Sequence, residues 1–329
     1  MQERQKHRLK QKELVMSIFS LFSTEFEESN VSSIWDITLP IEKIITYLNE
    51  KHNVLYKNAM WVYTQLRRYE NELGVRLFQK IQKEGSESNF SLKIYQPFIY
   101  FFQKQHLYLS QKIKISNGAW DLIKNTMGRT GFEEPLKILL GAGSTIYHLA
   151  IILAKRSKEE NIRFKIYTHN LGSLKQLVEP KTSFKNITVY TPAGKIDPVT
   201  YTIVGEDNEI YLKNKFDFII QGTSCIHKGN LYIESAEEKN RKQTMLKECE
   251  GTKLLLLTKH ELSDSPLKNR SPYGRVEDYD YVILPKGNTN PGVQKRYDNF
   301  LKQFDKILEA EILSWNYLIF KIKHQPDEV

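Results

Sequence analysis

The chain has 329 residues, 40% of them hydrophobic and 26% charged, which is the make-up of a soluble globular protein with room for two domains. A formal net charge of +9 raises nucleic acid as a partner without establishing it. Two cysteines, Cys225 and Cys249, share no CxxC spacing; they exclude a disulfide framework, argue against a structural zinc and fit a reducing compartment.

The opening MQERQKHRLKQKELVMSIFSLF sets basic residues before a short apolar run with two serines and no cleavage site, so it reads as an amphipathic helix and not as a signal peptide. No apolar run approaches the ~18–20 residues of a membrane span. The expected location is the cytoplasm. After Pro40, Ile41, Ile44, Ile45 and Leu48 share one helix face. A second helix, AMWVYTQLRRYENEL, ends at Gly74, a C-cap position. Two short strands follow around the turn EGSESN, then an aromatic-rich segment over 96–116 that reads as one long helix. Its stripe of Phe98, Phe101, Phe102 and Leu109 is too apolar for water, so it packs either in a homodimer or within its own chain.

The segment NTMGRTGFEEP is the expected domain boundary. Beyond it, LKILL, RFKIYT, NITVYT, FDFIIQ, KLLLLT and YDYVIL alternate with helical segments, the pattern of parallel strands buried on both faces. The fold class is therefore α/β: an N-terminal winged helix-turn-helix and a C-terminal doubly wound, mostly parallel sheet. The expected divisions are 1–35, a leading helix and polar segment; 36–95, the winged helix-turn-helix; 96–130, a linker helix and hinge; 131–290, a ligand-sensing domain; and 291–329, a helical tail.

In the N-terminal part, Leu66, Tyr69, Glu70, Leu73, Gly74, Leu77 and Phe78 follow the pattern I-x-x-L-E-x-x-L-G-x-x-L-F, with Lys80 where the pattern has arginine. This resembles the LysR-type winged helix-turn-helix over roughly residues 40–115, which implies double-stranded DNA as a partner. Two helices and a wing of this kind put one helix into the major groove. The exposed start of that helix offers Lys57, Asn58, Met60, Trp61, Thr64 and Gln65 to bases, and Arg67, Arg68, Lys80 and Lys83 to phosphates. Trp61 is equally a core candidate. Winged helices also bind proteins, and that alternative stays open.

In the C-terminal part, strand LKILL, loop GAGST and helix IYHLAIILAKR form a strand–turn–helix in which Gly141, Gly143, Ser144 and Thr145 can cradle an anion against helix N–H groups. The turn is neither a complete dinucleotide fingerprint nor a P-loop. Other strand ends add Thr168, His169 and Asn170; Gly194 and Lys195; Gly222, Thr223 and Ser224; and Lys259. In an open parallel sheet ligands sit outside these ends.

The ordered motifs GAGST, IYTHN, PAGK, QGTS, AEEKNRKQTM and LLTK over about 135–287 resemble the sensor domain of DeoR-type regulators, related to ribose-phosphate isomerase and the CoA-transferases. The resemblance implies a sugar phosphate or similar metabolite held by Gly143, Ser144, Thr145, Asn170, Gly194, Gly222, Lys242 and Lys259. His169 is inserted before the family's asparagine, and Lys195 stands for its second glycine.

The acids that the isomerases need after the fourth strand are absent from QGTSCIHKGN. Glu237 is the one acid weighed for catalysis, with surface solvation as its other role, and Cys225 is weighed as a nucleophile or a small core residue. No His, Asp or Glu spacing suggests a metal, and no cofactor is expected. The expectation is a non-catalytic, ligand-responsive DNA-binding regulator, homodimeric or larger. An enzyme of the isomerase/CoA-transferase group and a sensor whose winged helix binds protein are the alternatives.

Overall fold

The computed structural model describes residues 8–82, 89–95, 101–128, 134–179, 186–287 and 289–324. The chain divides into two compact units, Met1–Tyr108 with Thr289–Gly292, and Leu109–Asn288 with Val293–Val329. Among the described residues no helix is long and apolar enough to cross a membrane.

The first unit contains α1 (Gln11–Glu28), β1 (Thr38–Pro40), α2 (Ile41–His52), α3 (Ala59–Leu73), β2 (Phe78–Gln82), β3 (Phe90–Ile94) and the short α4 (Phe101–Lys104). The apolar face of α1, including Phe19 and Phe22, is buried, and both rings pack on Phe78 at the start of β2 (centroids 4.7 and 5.9 Å). Ile41, Ile44 and Leu48 bury the matching face of α2, as their spacing requires. Asn58 caps α3 and Gly74 ends it in the left-handed region at φ 67°. β2 and β3 form an antiparallel hairpin, and β1 adds to β3. The element order of this unit is helix–strand–helix–helix–strand–strand, with a three-stranded antiparallel sheet.

The second unit begins with α5 (Leu109–Met127), followed by β4 (Leu136–Leu140), α6 (Ser144–Glu159), β5 (Phe164–Thr168), α7 (Leu171–Val178), β6 (Ile187–Tyr190), β7 (Lys195–Asp197), β8 (Thr202–Val204) and α8 (Glu209–Leu212). It continues with β9 (Phe218–Gln221), β10 (Cys225–His227), β11 (Asn230–Tyr232), α9 (Ala236–Lys247), β12 (Thr252–Leu256), β13 (Gly274–Arg275), β14 (Tyr281–Pro285), α10 (Pro291–Gln303), β15 (Leu308–Leu313) and β16 (Tyr317–Ile322). Eight strands form one sheet in the order β15-β16-β14-β12-β9-β4-β5-β6. Pairings from β6 to β14 are parallel; β16 and β15 run antiparallel at the edge.

Alternate residues along each strand serve opposite faces. Ile138, Leu140, Phe218 and Ile220 join Trp120 of α5 and Leu149 and Leu153 of α6 in one core cluster. Leu139, Tyr167 and Ile219 face the other way, with Tyr211 of α8 and Met245 of α9. From β4 the chain lays β5 and β6 to one side, then crosses to β9, β12 and β14 on the other. The strand order therefore reverses between β4 and β9, the place where a doubly wound sheet opens a crevice.

Three expectations are corrected. The segment read as one long helix over 96–116 breaks instead: Tyr108 takes φ 53°, and α5 starts afresh at Leu109. Because Ile115, Ala119, Trp120 and Ile123 of α5 belong to the sheet core, the division between units falls before α5 and not at 125–135. Phe101 is buried, and Phe98 lies outside the described residues. The tail read as helical to His324 is helical only to Gln303; the residues beyond pair as β15 and β16. Tyr317, Ile319 and Ile322 are buried there, an alternation that fits a strand against β14 better than a helix against water.

Candidate functional site

The crevice is built on the ends of β4 and β9. Gly141 donates its N–H to Ile220 O (2.9 Å), and Gly143 adopts φ 110°, a conformation that favours glycine, so that α6 can begin at Ser144. Gly143, the N-cap of α6, offers no side-chain cap, so the first N–H groups of this 16-residue helix have no side-chain partner there. Asn170 braces the turn: its amide donates to Gly143 O (3.0 Å) while its Oδ1 accepts the Ser173 N–H and caps α7. Thr168 Oγ1 accepts the Asn170 N–H in turn. Gly222 follows β9, and a Cβ on it would stand 4.0 Å from Thr145 Cβ. Thr223 Oγ1 donates to Tyr232 O (2.8 Å), and Ser224 donates its backbone N–H to the same carbonyl, so both residues fix the β10–β11 hairpin.

Beneath the crevice α9 contributes a buried charged group. Lys242 donates its ammonium to Gly222 O (2.7 Å) and stands 3.7 Å from Glu238, one helical turn earlier. Burial lowers the Lys242 pKa, and the Glu238 carboxylate works against that shift. Arg241 is wholly buried and donates to the carbonyls of Ala193, Gly205 and Asp207 (3.4, 3.1 and 3.0 Å), which pins both ends of the β7–β8 hairpin. Gly194, at φ 153°, lets that hairpin close, since a Cβ there would run into Val204 O. By formal charge Arg241 and Lys242 outnumber Glu238 in this layer by one, and an anion nearby would favour the charged form of Lys242.

His169 is also fully buried. Its Nδ1 meets the Tyr211 hydroxyl (3.3 Å), and Nε2 lies 3.8 Å from Glu238. Burial lowers its pKa; Glu238 opposes the shift, and Arg241 and Lys242 reinforce it. Its Nε2 and the Oε1 of Gln221 are buried without a hydrogen-bond partner. Such an orphaned group costs about 1–3 kcal/mol.

The remaining expected residues go elsewhere. Lys195 is exposed on β7. Lys259 is buried, but its ammonium donates to Gly287 O (2.7 Å) and Gln294 (2.9 Å) and lies over the Tyr297 ring. Glu237 is exposed, whereas its neighbour Glu238 is buried in the α9 cluster. Glu238 was legible in the sequence, because a spacing of four on a helix puts it on the face of Lys242; Arg241, Tyr211 and Gln221 carried no such signal. Burial pushes the Cys225 thiol up and the Cys249 thiol up to about 11, which keeps both protonated and leaves Cys225 as a small core residue.

In the first unit, Lys57, just before α3, and Met60, Thr64 and Arg68 along it are exposed. Asn58 spends its carbonyl on the Trp61 N–H (2.9 Å) as the helix cap. Trp61 is half-buried, packed on Tyr56, with the Arg8 guanidinium 5.3 Å from its ring. Gln65 accepts a hydrogen bond from Gln11 (3.4 Å). Arg67 pairs with Glu70, whose other oxygen accepts the N–H groups of Leu77 (2.7 Å) and Phe78 (2.8 Å). Glu70 is thus the joint between α3 and the β2–β3 hairpin. The Lys80 ammonium lies over the Phe90 ring (4.5 Å), and Lys83 is outside the described residues.

Residues 109–291 match the family model of the DeoR C-terminal sensor domain, more than half of the chain and the whole crevice. The chain belongs to this family. Among solved structures, the chain is similar to a D-ribose-5-phosphate isomerase in complex with phospho-erythronic acid (12% identity over 66% of this chain and 80% of that one, TM-score 0.33). It is similar as well to ribose 5-phosphate isomerase A from Methanocaldococcus jannaschii (11% identity over 66% and 80%, TM-score 0.33). A third is ribose 5-phosphate isomerase from Plasmodium falciparum (15% identity over 66% and 81%, TM-score 0.30). Among curated proteins none matches the sequence.

Proposed function

We propose that the protein is a ligand-responsive transcription regulator whose sensor domain takes a small phosphorylated metabolite, a sugar phosphate or a near relative, and whose winged helix binds double-stranded DNA. One observation carries the ligand half. The Gly141–Thr145 turn lies where the strand order reverses, with α6 N–H groups on one side and a buried layer of net positive charge on the other. A dianionic phosphate satisfies the open N–H groups and the excess charge together.

For the DNA half, the exposed Lys57 just before α3 and Arg68 on it support phosphate contacts, and Thr64 and Gln65 support contacts to bases. The absence of acids from the 222–230 segment supports a sensing role over turnover. A second reading, docking on a protein, is favoured by the exposed Leu55 and Met60 beside the same helix.

Two measurements test the proposal. Melting with inorganic phosphate and with pentose phosphates reads the crevice: a ligand at a hundred times its Kd stabilises by about 2.7 kcal/mol. Gel retardation on DNA flanking the protein's own gene reads the winged helix: retention that weakens steeply with salt, selects sequence and changes with the ligand is expected. No stabilisation by any phosphate sinks the ligand half. Salt-insensitive or absent retention sinks the DNA half and favours protein docking.

A further inference from the structure

The strand alternation that builds the sheet core has a polar continuation at its C-terminal edge. In register, Tyr167, Leu139 and Ile219 form one apolar row across β5, β4 and β9 on the α9 side. Two residues further, the same row reads His169, Gly141, Gln221. Gly141 leaves the middle open, because a Cβ there would press on Gln221 Cγ at 3.3 Å. The two flanking side chains are wholly buried, and each holds an orphaned atom, Nε2 of His169 and Oε1 of Gln221.

The two orphans are chemically complementary. With Glu238 3.8 Å from Nε2, beyond hydrogen-bond reach, the carboxylate favours the tautomer that carries its proton on Nε2, and the Tyr211 hydroxyl then donates to Nδ1. His169 is a donor and Gln221 Oε1 an acceptor, the pair that one hydroxyl group satisfies by accepting from the first and donating to the second. A second anion does not suit Gln221 Oε1, and a methyl group leaves both atoms unpaired. The cover over the β5 end of the row is the β7–β8 hairpin, whose Ile203 donates to His169 O (2.8 Å) and whose ends Arg241 holds. That hairpin is the part that yields to admit a ligand.

We propose that the His169–Gly141–Gln221 row under α9 is a hydroxyl-recognising subsite beside the anion turn, and that His169 and Gln221 select phosphates bearing hydroxyl groups over those bearing none. The proposal rests on the phosphate reading of the crevice and adds to it the chemistry of the ligand's other end.

The test is calorimetric titration of the full chain and of its His169→Phe and Gln221→Leu variants with three probes: inorganic phosphate, methyl phosphate and D-ribose 5-phosphate. The wild-type protein is expected to bind ribose 5-phosphate at least tenfold more tightly than methyl phosphate. Each variant is expected to bring that ratio to within about threefold of unity while its affinity for methyl phosphate stays within twofold, which also reports an intact fold. Equal wild-type affinity for the two esters, or variants that keep the preference, overturns the subsite and leaves the anion turn standing. A wild-type protein that binds none of the three overturns the phosphate reading and the subsite with it. If one variant does not fold, the other decides, since the two residues stand on different strands.

Discussion

Asn170 couples the stability of the sensor domain to the geometry of its anion turn, and two substitutions separate these roles. Asn170→Ala removes the α7 cap, worth about 1 kcal/mol. It also removes one of the two donors to Gly143 O, which still accepts the Tyr147 N–H, and a single lost hydrogen bond costs about 1 kcal/mol. The sum is a loss of about 2 kcal/mol. Asn170→Asp keeps the cap, because its oxygen still accepts the Ser173 N–H, but turns a carboxylate oxygen toward the turn. At an effective dielectric of about 20, that charge at about 5 Å from a bound phosphate costs about 3 kcal/mol of repulsion, more than a hundredfold in affinity. Both variants should therefore lose stability, since neither can donate to Gly143 O, and the Asp variant should lose the more binding. Urea denaturation gives the first quantity and calorimetric titration with inorganic phosphate the second. An Asp variant that binds phosphate as tightly as the Ala variant would refute the placement of the anion beside Asn170.

Three other outcomes follow from single sites. Glu70→Ala strands the N–H groups of Leu77 and Phe78 and should destabilise the first unit by about 3–5 kcal/mol, with Glu70→Gln costing much less; hydrogen exchange of those two amides measures both. Gly194→Ala forces a Cβ against Val204 O at φ 153° and should lower the sensor domain's urea midpoint by more than any surface alanine; an unchanged midpoint would show that the β7–β8 hairpin is not closed as described. Because the folded-state pKa of His169 is lowered, the unfolded chain takes up a proton near pH 6.5 that the native protein refuses. Stability is then fully present above that pH and falls below it, and His169→Phe should flatten the slope between pH 7.5 and 5.5.

Much of the fold was legible. The six apolar runs from LKILL to YDYVIL are the six parallel strands, because a strand covered on both faces has no polar side to disguise it. Gly74 marks the end of α3 through local backbone chemistry that needs no tertiary partner, whereas Asn58, expected at bases, caps its start. In the crevice, Gly143, Asn170, Gly222 and Lys242 were each found as a strand-end or motif residue, and the structure brings them together. The segment after Gln303 misled because its apolar spacing suits either a helix or a strand, and only the free edge of β14 decides between them. The break at Tyr108 misled as well, since no proline or glycine announces it.

By itself the sequence determined which segments become strands and helices, where the glycine turn stands and that α9 pairs Glu238 with Lys242, all properties of residues close together in the chain. The tertiary structure alone decided that His169, Gly141 and Gln221 share one row, that Arg241 holds the carbonyls of a distant hairpin, and that Lys259 turns toward Gln294. The physical reason is range. Backbone preferences act over a few residues, whereas strand register and the partner of a buried charge are fixed by contacts between segments tens of residues apart, whose choice is made only when the sheet closes.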